Sequence, residues 1–551
     1  MRGLGFALAL LALTGGAAGA RECPPLATAP LAEVKTQAPG QRVTVEGVVT
    51  GVFLGREALG GFYLQQAGAP EPAAVFVFAP RLGARERRGI EPGVRVRLAA
   101  ETAEHRGRFQ LSAPARVEVC GRPGLPDPVP LELPADADRL ARLVDVKVRF
   151  DQPLTVTGNY LLARYGSLDL AAGGRLFRPT NAPDGDPAAN ARRRIVLDDG
   201  SYRAQPEPIP YLDAYGSRRS GAVIEGLTGI LAHAFEEYRV HPIRAVHFDD
   251  ANPRPAAPPP VPGRVRAAAF NVENYFLSLG QRGARHAQEL ERQRAKLLAA
   301  AHGLEADLLA LVEVENRAEA LTDLVRQLNR GAEEAHWRAV PVPQPLGTDA
   351  IQVALVYRAD RLEVVGAPRV DTDPIHERPP VAAVFRARAG GAPFLAVAVH
   401  FKSKTGCPAR GDIDRGQGCW NQRRTAQGEA LAGFVRRAAH EAAVEDVLVL
   451  GDLNAYGAED PLRVLDEAGL VDLVAARLPP ERRYTYVFRG EAGYLDHVLA
   501  SAGMAERVRG VAIWHINADE PPHLAFDGRR DWYAPDPYRS SDHDPVLVGF
   551  D

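Results

Sequence analysis

Ser540-Ser541-Asp542-His543-Asp544-Pro545-Val546-Leu547-Val548, close to the C-terminus, sets two carboxylates and an imidazole at the mouth of a short apolar run. A terminal strand needs none of that polarity to fold, although Asp alone would mark a turn. The same grammar recurs upstream, where apolar runs stop at a carboxylate, an amide or a histidine. Val265 to Phe270 ends at Asn271-Val272-Glu273-Asn274, and Leu308 to Val312 ends at Glu313-Val314-Glu315-Asn316. Phe394 to Val399 runs into His400-Phe401-Lys402-Ser403-Lys404, and Val447 to Leu450 into Gly451-Asp452-Leu453-Asn454. Leu495-Asp496-His497 opens another apolar run. In layered α/β folds, ligands sit where strand ends emerge. One polar strand end is a turn; five or six, mixing Asp, Glu, Asn and His, predict a site. Hard oxygen donors with imidazole and no thiolate suit Mg²⁺ or Mn²⁺. Such an ion polarises a phosphoryl oxygen and stabilises charge on a leaving group. Helices are expected over residues 285–302 and 421–438.

Outward from this half, 551 residues are too many for one core. With 46% hydrophobic and 25% charged residues the composition is that of a soluble globular protein. A net charge of -3 gives no global field for nucleic acid or anionic membrane, so a polyanion needs a local cationic cluster or metal. Residues 1–20 read as a signal peptide: Arg2, the apolar Leu4 to Leu13, then Ala18-Gly19-Ala20. Export follows, with no membrane anchor. Four cysteines fit that compartment. Pairing within segments, Cys23 with Cys120 and Cys407 with Cys419, is the natural arrangement, and the two other connectivities stay open.

Residues 21–125 show short alternating runs between Gly/Pro turns, which suggests a small closed barrel of OB type. Phe62, Tyr63, Phe76 and Phe78 could offer stacking faces, but the core is the better expectation. Residues 126–250 form a second β-rich unit, with a clean alternation over Val144 to Phe150. The pattern of its stretch from Arg178 to Tyr211 gives no fold. Residues 251–263, with six prolines, read as a stiff, extended linker, and residues 264–551 as the unit that carries the chemistry.

The set Asn271-Val272-Glu273-Asn274, Glu313, His400, Gly451-Asp452-Leu453-Asn454, Leu495-Asp496-His497 and Ser541-Asp542-His543 resembles the endonuclease/exonuclease/phosphatase superfamily. The resemblance covers about residues 264 to 551 with the motifs in family order. Asn271 to Phe276, Val314-Glu315-Asn316, His400 to Lys404, Cys419-Trp420-Asn421, Trp514 to Glu520 and Ser540 to Pro545 are most similar to secreted bacterial nucleases of the ExeM and NucH type. Gly158-Asn159-Tyr160 and Leu197-Asp198-Asp199-Gly200 extend that similarity less specifically. The resemblance implies a four-layer α/β sandwich of the deoxyribonuclease-I type, preceded by β-rich OB-like domains. It implies Glu313 as a metal ligand, with Asn271 and Asp542 assisting. Asp452 and Asn454 would hold phosphate and the attacking water, and His400 and His543 would be paired acid/base imidazoles near their ordinary pKa. Asp496 would orient His543, and Asp349, more weakly, His400. Lys402, Lys404, Arg423 and Arg424 are the local cations suited to phosphate, Glu315 is either a supporting or a solvated group, and Tyr484 and Tyr486 line a groove or pack in the core.

The expected protein is a secreted or periplasmic, monomeric, Mg²⁺- or Mn²⁺-dependent nuclease for DNA, with RNA as the second choice and no stable protein partner. Its N-terminal barrels would help hold substrate. A phosphatase or lipid phosphodiesterase of the same superfamily, or an inert nucleic-acid-binding protein, are the rival readings.

Overall fold

The computed structural model describes residues 23–551 apart from 56, 67, 69–71 and 331–335. The expected signal peptide lies outside the described residues. From Val265 onward the chain builds two six-stranded mixed sheets. The first has the order Trp337–Ala339, Ile351–Arg358, Leu308–Glu315, Val265–Tyr275, Val546–Phe550, Val508–Ile513. The second has the order Leu362–Val370, Val381–Ala387, Phe394–His400, Val447–Asp452, Asp496–Ala500, Val471–Asp472.

The central strands are continuous apolar runs because both of their faces are covered. Alternate residues, among them Ala267, Ala269, Ala310, Ala396, Ala398, Leu448 and Leu450, fill the space between the sheets. On the outer face of the first sheet, Ala268, Phe270, Leu309 and Leu311 pack on helices Ala287–Gly303 and Ala318–Leu328. Val397, Val399 and Val449 of the second sheet pack on helices Asn421–Ala442 and Asp460–Glu467. The result is four layers, helix, sheet, sheet, helix. The helix expected to stop near residue 438 runs on to Ala442, the other helix lies within two residues of its expected span, and no helix among the described residues is long and apolar enough to cross a membrane.

Ahead of this unit, strands Arg42–Phe53, Gly61–Gln65, Ala74–Phe78, Arg108–Gly121 and Arg95–His105 close a barrel in that order. Phe62, Tyr63 and Phe76 are buried, whereas Phe78 is exposed. Disulfides join Cys23 to Cys120 and Cys407 to Cys419. An eight-stranded sheet follows the barrel. Here the alternation over Val144 to Phe150 overstates the strand, which is only Lys147–Arg149. Asp145 turns out of it at φ 74° and gives its carboxylate to Arg108 at 2.8 Å, a long-range ion pair that overrides local propensity. The stretch that had no legible pattern holds helix Pro187–Arg193, capped by Asp186, and strand Arg194–Asp198.

The proline-rich segment is extended but is fastened rather than free. Asn252 donates to Ser220 and Asp519, Arg254 pairs with Glu520, and the Pro255 carbonyl accepts from Trp514 Nε1 and Tyr538 Oη.

The intersheet space is set by alanines, so added volume there has nowhere to go. Ala398→Leu should destabilise the C-terminal unit by about 1–3 kcal/mol, read as a lower denaturant midpoint in Trp fluorescence. An unchanged midpoint would show that the two sheets are not close-packed at that point.

Candidate active site

Strand direction brings the site together. Phe394–His400 runs parallel to Val447–Asp452, so both end at the same edge, and antiparallel Asp496–Ala500 begins there. His400 is registered on Asp452, and Asp452 on Asp496. Gly451 allows this close approach, since a Cβ there would lie 1.9 Å from the Val399 carbonyl oxygen. In the facing sheet the parallel strands Val265–Tyr275 and Leu308–Glu315 present Asn271 and Glu313 at the same edge, and Asp542-His543 leads into the antiparallel Val546–Phe550.

Both strands of the facing sheet break their regular pairing at the site. Glu313 sits at a bulge with φ 67°, and Glu273 and Asn274 follow Asn271 with φ 49° and 54°. Bulges and left-handed residues of this kind re-aim side chains at functional sites. Asn271 Nδ2 donates to Glu313 Oε1 at 3.1 Å and reaches across to Asp452 Oδ2 at 3.5 Å, joining the two sheets. The Asn274 amide donates to Glu313 Oε2 at 3.0 Å.

Ligand atoms of Glu313, His400 and Asp452 lie within 4.8 Å of one another, as do those of Asp452, Asp496 and His543. His543 Nδ1 is 2.7 Å from Asp496 Oδ2, which also accepts the Thr485 hydroxyl at 2.7 Å. The Tyr486 ring lies 4.7 Å from the His543 ring. Asp542 acts on the cluster by charge, raising the pKa of Glu313, Glu273 and His543.

The electrostatics set the two imidazoles apart, which corrects the expectation that both titrate near their ordinary value. Burial, then the Arg378 guanidinium and His543, push His400 well below 6.5, so it is neutral. Burial also opposes charge on His543, but Asp496, Asp542 and Asp452 outweigh it and hold His543 well above 6.5. Burial pushes the Asp452 carboxyl up to about 7 against the opposing pull of His543, and pushes Glu273 up to about 8. Such opposed environments are how one site holds both a proton donor and an acceptor.

Other expected residues fall less simply. Asp349 does not touch His400: its carboxylate faces Arg378 Nε at 3.8 Å and Arg282 at 3.5 Å. Arg378 stands between them, with Nη1 2.9 and 3.1 Å from the His400 ring nitrogens and Nη2 donating to the Phe401 carbonyl at 2.5 Å. Asn454 enters the site, but its amide donates to that same carbonyl at 3.2 Å. Lys404 and Arg424 are not phosphate-facing cations. Lys404 is tied to Glu459 and the Gln417 carbonyl, and the fully buried Arg424 donates to the Cys419 and Gln417 carbonyls. Arg424 folds the disulfide loop onto its own helix, and Lys404 ties the loop to the N-cap of helix Asp460–Glu467. Lys402 and Arg423 remain at the rim, sharing Glu377 at 3.9 and 3.3 Å. Glu315 is buried and accepts the amides of Leu277 and Ser278, and Tyr484 is buried, stacked on His515.

Sequence reasoning missed Arg378 and Thr485. Arg378 sits in His376-Glu377-Arg378-Pro379-Pro380, outside any apolar strand, and Thr485 precedes Tyr486 without a motif. The only signal for Thr485 was its place before a tyrosine already suspected of lining the groove.

The donor set fits a hard divalent cation. Glu313, Asp452, Asp496, Asp542 and Glu273, whose Oε2 has no hydrogen-bond partner among the described residues, crowd carboxyl groups together, with Arg378, Arg539 and His543 among the nearby cations. Glu313 and Asp452 are placed to hold it, and Asn271, whose amide nitrogen now donates to both and whose oxygen accepts the Glu273 amide, would have to turn its oxygen inward to join them.

A family model described as the Endonuclease/Exonuclease/phosphatase family matches residues 268–543. No curated protein matches the chain. Among solved structures, the human Nocturnin catalytic domain with bound sulfate is 18% identical, covering 53% of this chain and 96% of its own, with a TM-score of 0.36. A mannosyl-6-phosphatase of Bacteroides thetaiotaomicron is 15% identical over 52% and 99% of the two chains, with a TM-score of 0.35. A humanized D. rerio TDP2 is 15% identical over 52% and 98%, with a TM-score of 0.35. The match of the family model over residues 268–543, which takes in every group from Asn271 to His543 described above, places the chain in the endonuclease/exonuclease/phosphatase family.

Proposed function

We propose that the protein is a secreted, divalent-metal-dependent phosphodiesterase that cleaves DNA with little sequence preference, acts as a monomer, and is of the ExeM and NucH type with an OB-like N-terminal barrel. The observation that carries the reading is the convergence of His400, Asp452 and Asp496, in register on one sheet, with Asn271, Glu313 and His543 from the other. Mg²⁺ or Mn²⁺ bound at Glu313, Asn271 and Asp452 would polarise the phosphoryl group and stabilise its developing charge.

The chain's own residues then divide the work. Asp452, in register between His400 and Asp496, accepts the proton of the attacking water. His543, aligned by Asp496 and kept cationic by its carboxylate neighbours, faces the phosphoryl group as a donor. His400, neutral and bound to Arg378, presents a hydrogen-bonding ring rather than a charge. Lys402 and Arg423 at the rim suit the flanking phosphates. Tyr486 beside His543 offers a flat face to a sugar or base.

Wild-type protein should nick supercoiled plasmid in Mg²⁺ or Mn²⁺ and stop in EDTA. His543→Ala and Asp452→Ala should each lower the rate by roughly 10²–10⁴, the usual weight of a proton-transfer group. Near-normal nicking by both variants would refute the assignment. Faster release of phosphate from a nucleoside monophosphate, or turnover of sphingomyelin, would move the reading to phosphatase or lipid phosphodiesterase.

The raised pKa of Asp452 also predicts a metal effect. A carboxyl raised from 3.8 to about 7 in the fold contributes stability below 3.8 that is lost as pH rises through about 7. Metal-free Asp452→Asn should therefore lose less stability than wild type over that window. At pH 8, Mg²⁺ at a hundredfold excess over its Kd should stabilise wild type by about 2.7 kcal/mol and the variant much less. Equal stabilisation of both in thermal melts would remove Asp452 from the ion's site.

A further inference from the structure

Asp519 and Glu520 are almost wholly buried, yet they lie outside the cleft. Asp519 takes Arg175 at 2.8 Å, Asn252 Nδ2 at 2.8 Å and the Tyr484 hydroxyl at 2.9 Å. Glu520 takes Arg219 Nη1 at 2.5 Å, Arg254 Nε at 2.9 Å and the Ser217 hydroxyl at 2.7 Å. The backbone is held too. Arg219 Nη2 donates to the His515 carbonyl at 2.9 Å, and Asn159 Nδ2 to the Asp519 carbonyl at 2.7 Å. Apart from Tyr484, every one of these donors belongs to the eight-stranded unit or the proline-rich segment.

The other side of the same short segment holds the His543 loop. Asn517 Nδ2 donates to the His543 carbonyl at 2.6 Å, and Asn517 Oδ1 accepts the Ser540 amide at 2.8 Å. Asp544 Oδ1 accepts the amides of Asn517 and Ala518 at 2.7 and 3.0 Å. A second grip falls on the hairpin Tyr486–Phe488 and Glu491–Gly493. Thr157 donates to the Gly490 carbonyl at 2.5 Å, the Arg178 amide to Ala492 at 2.7 Å, and a Cβ at Gly158 would lie 2.8 Å from Gly490 Cα. Thr485, at the base of that hairpin, donates its hydroxyl to Asp496 and accepts the Asp544 amide through its carbonyl.

We propose that the eight-stranded unit is a positioning element for the reaction, with Arg219 as its principal positioning residue. Acting through Glu520 and the His515 carbonyl, Arg219 fixes the 515–520 segment, which fixes the backbone of His543. This rests on the reading of His543 as part of phosphodiester cleavage. A substrate-holding arm would need exposed cations at this junction. The side chains of Arg175, Arg219 and Arg254 are instead 11%, 4% and 16% exposed and are consumed by carboxylates. Buried against carboxylates, they are not placed to meet a phosphate as exposed, unpaired surface arginines would be.

The test uses the full-length protein and steady-state kinetics on linear DNA in Mg²⁺. Arg219→Met should lower kcat about 10–100-fold with KM within about threefold, because misplacing a reacting group by about 1 Å costs on this order. Arg219→Lys should recover part of that loss. Ser217→Ala, which removes one bond to Glu520, should lower kcat about two- to tenfold with little change in Tm. Thr180→Val, which removes a bond to Glu459 rather than to either gripped segment, should keep the wild-type kcat. A raised KM at unchanged kcat in Arg219→Met would overturn the proposal in favour of substrate holding. Should Arg219→Met fail to fold, an unchanged kcat in Ser217→Ala would overturn it equally. Wild-type protein inert on DNA would instead overturn the nuclease reading on which the proposal rests.

Discussion

His400 opposite Asp452, and Asp452 opposite Asp496, is the register on which the rest of this protein depends. A slip of one residue in any of these three strands would turn its site side chain to the other face of the sheet, because strand side chains alternate strictly. The register is held by apolar residues that read both faces at once. Val397, Val399 and Val449 look to the helices, while Ala396, Ala398, Leu448 and Leu450 look to the facing sheet. The facing sheet answers with Asn271, whose amide spans the gap between Glu313 and Asp452. The site is therefore a seam between two sheets.

Gathering carboxylates at such a seam is unfavourable by itself, since burial and like charge both raise their pKa. The structure offsets this with three devices. Left-handed or bulged backbone at Glu273, Asn274, Glu313 and Asn454 aims amides and side chains inward. Arg378 is buried beside His400 and the Phe401 carbonyl. His543 takes its charge from the carboxylates around it. What remains is a buried cluster of carboxyl and imidazole groups suited to a small divalent ion, consistent with the chemistry of the family to which the chain belongs.

The strand-end grammar was legible because strands buried on both faces leave few reasons for Asp, Asn or His to appear at their ends. That pattern located Asn271, Glu313, His400, Asp452, Asp496 and His543, and the structure brings all six together. Charged residues that face inward were not legible. Lys404 and Arg424 look like surface cations in sequence because Lys and Arg are seldom buried unless paired. Only the fold shows that Glu459 and a set of loop carbonyls await them. Arg378 was hidden for the same reason, in a proline-bounded turn without periodicity. The stretch Trp514 to Glu520 stood out by resemblance, but its purpose, gripping another part of the chain, depends on partners some 300 residues away.

That grip changes how the N-terminal half is understood. The proline-rich segment reads as a stiff linker, and in the structure Asn252, Arg254 and Pro255 bind it down, while buried arginines lock the sheet against the 515–520 segment that holds the His543 loop. The two halves meet at the residues that set the geometry of the site. The central claim, that distant polar residues converge on one ion-binding seam, is tested most directly by anomalous diffraction from crystals soaked in Mn²⁺. The account predicts a peak bounded by Glu313, Asn271 and Asp452; a peak elsewhere, with the seam left empty at saturating Mn²⁺, would contradict it.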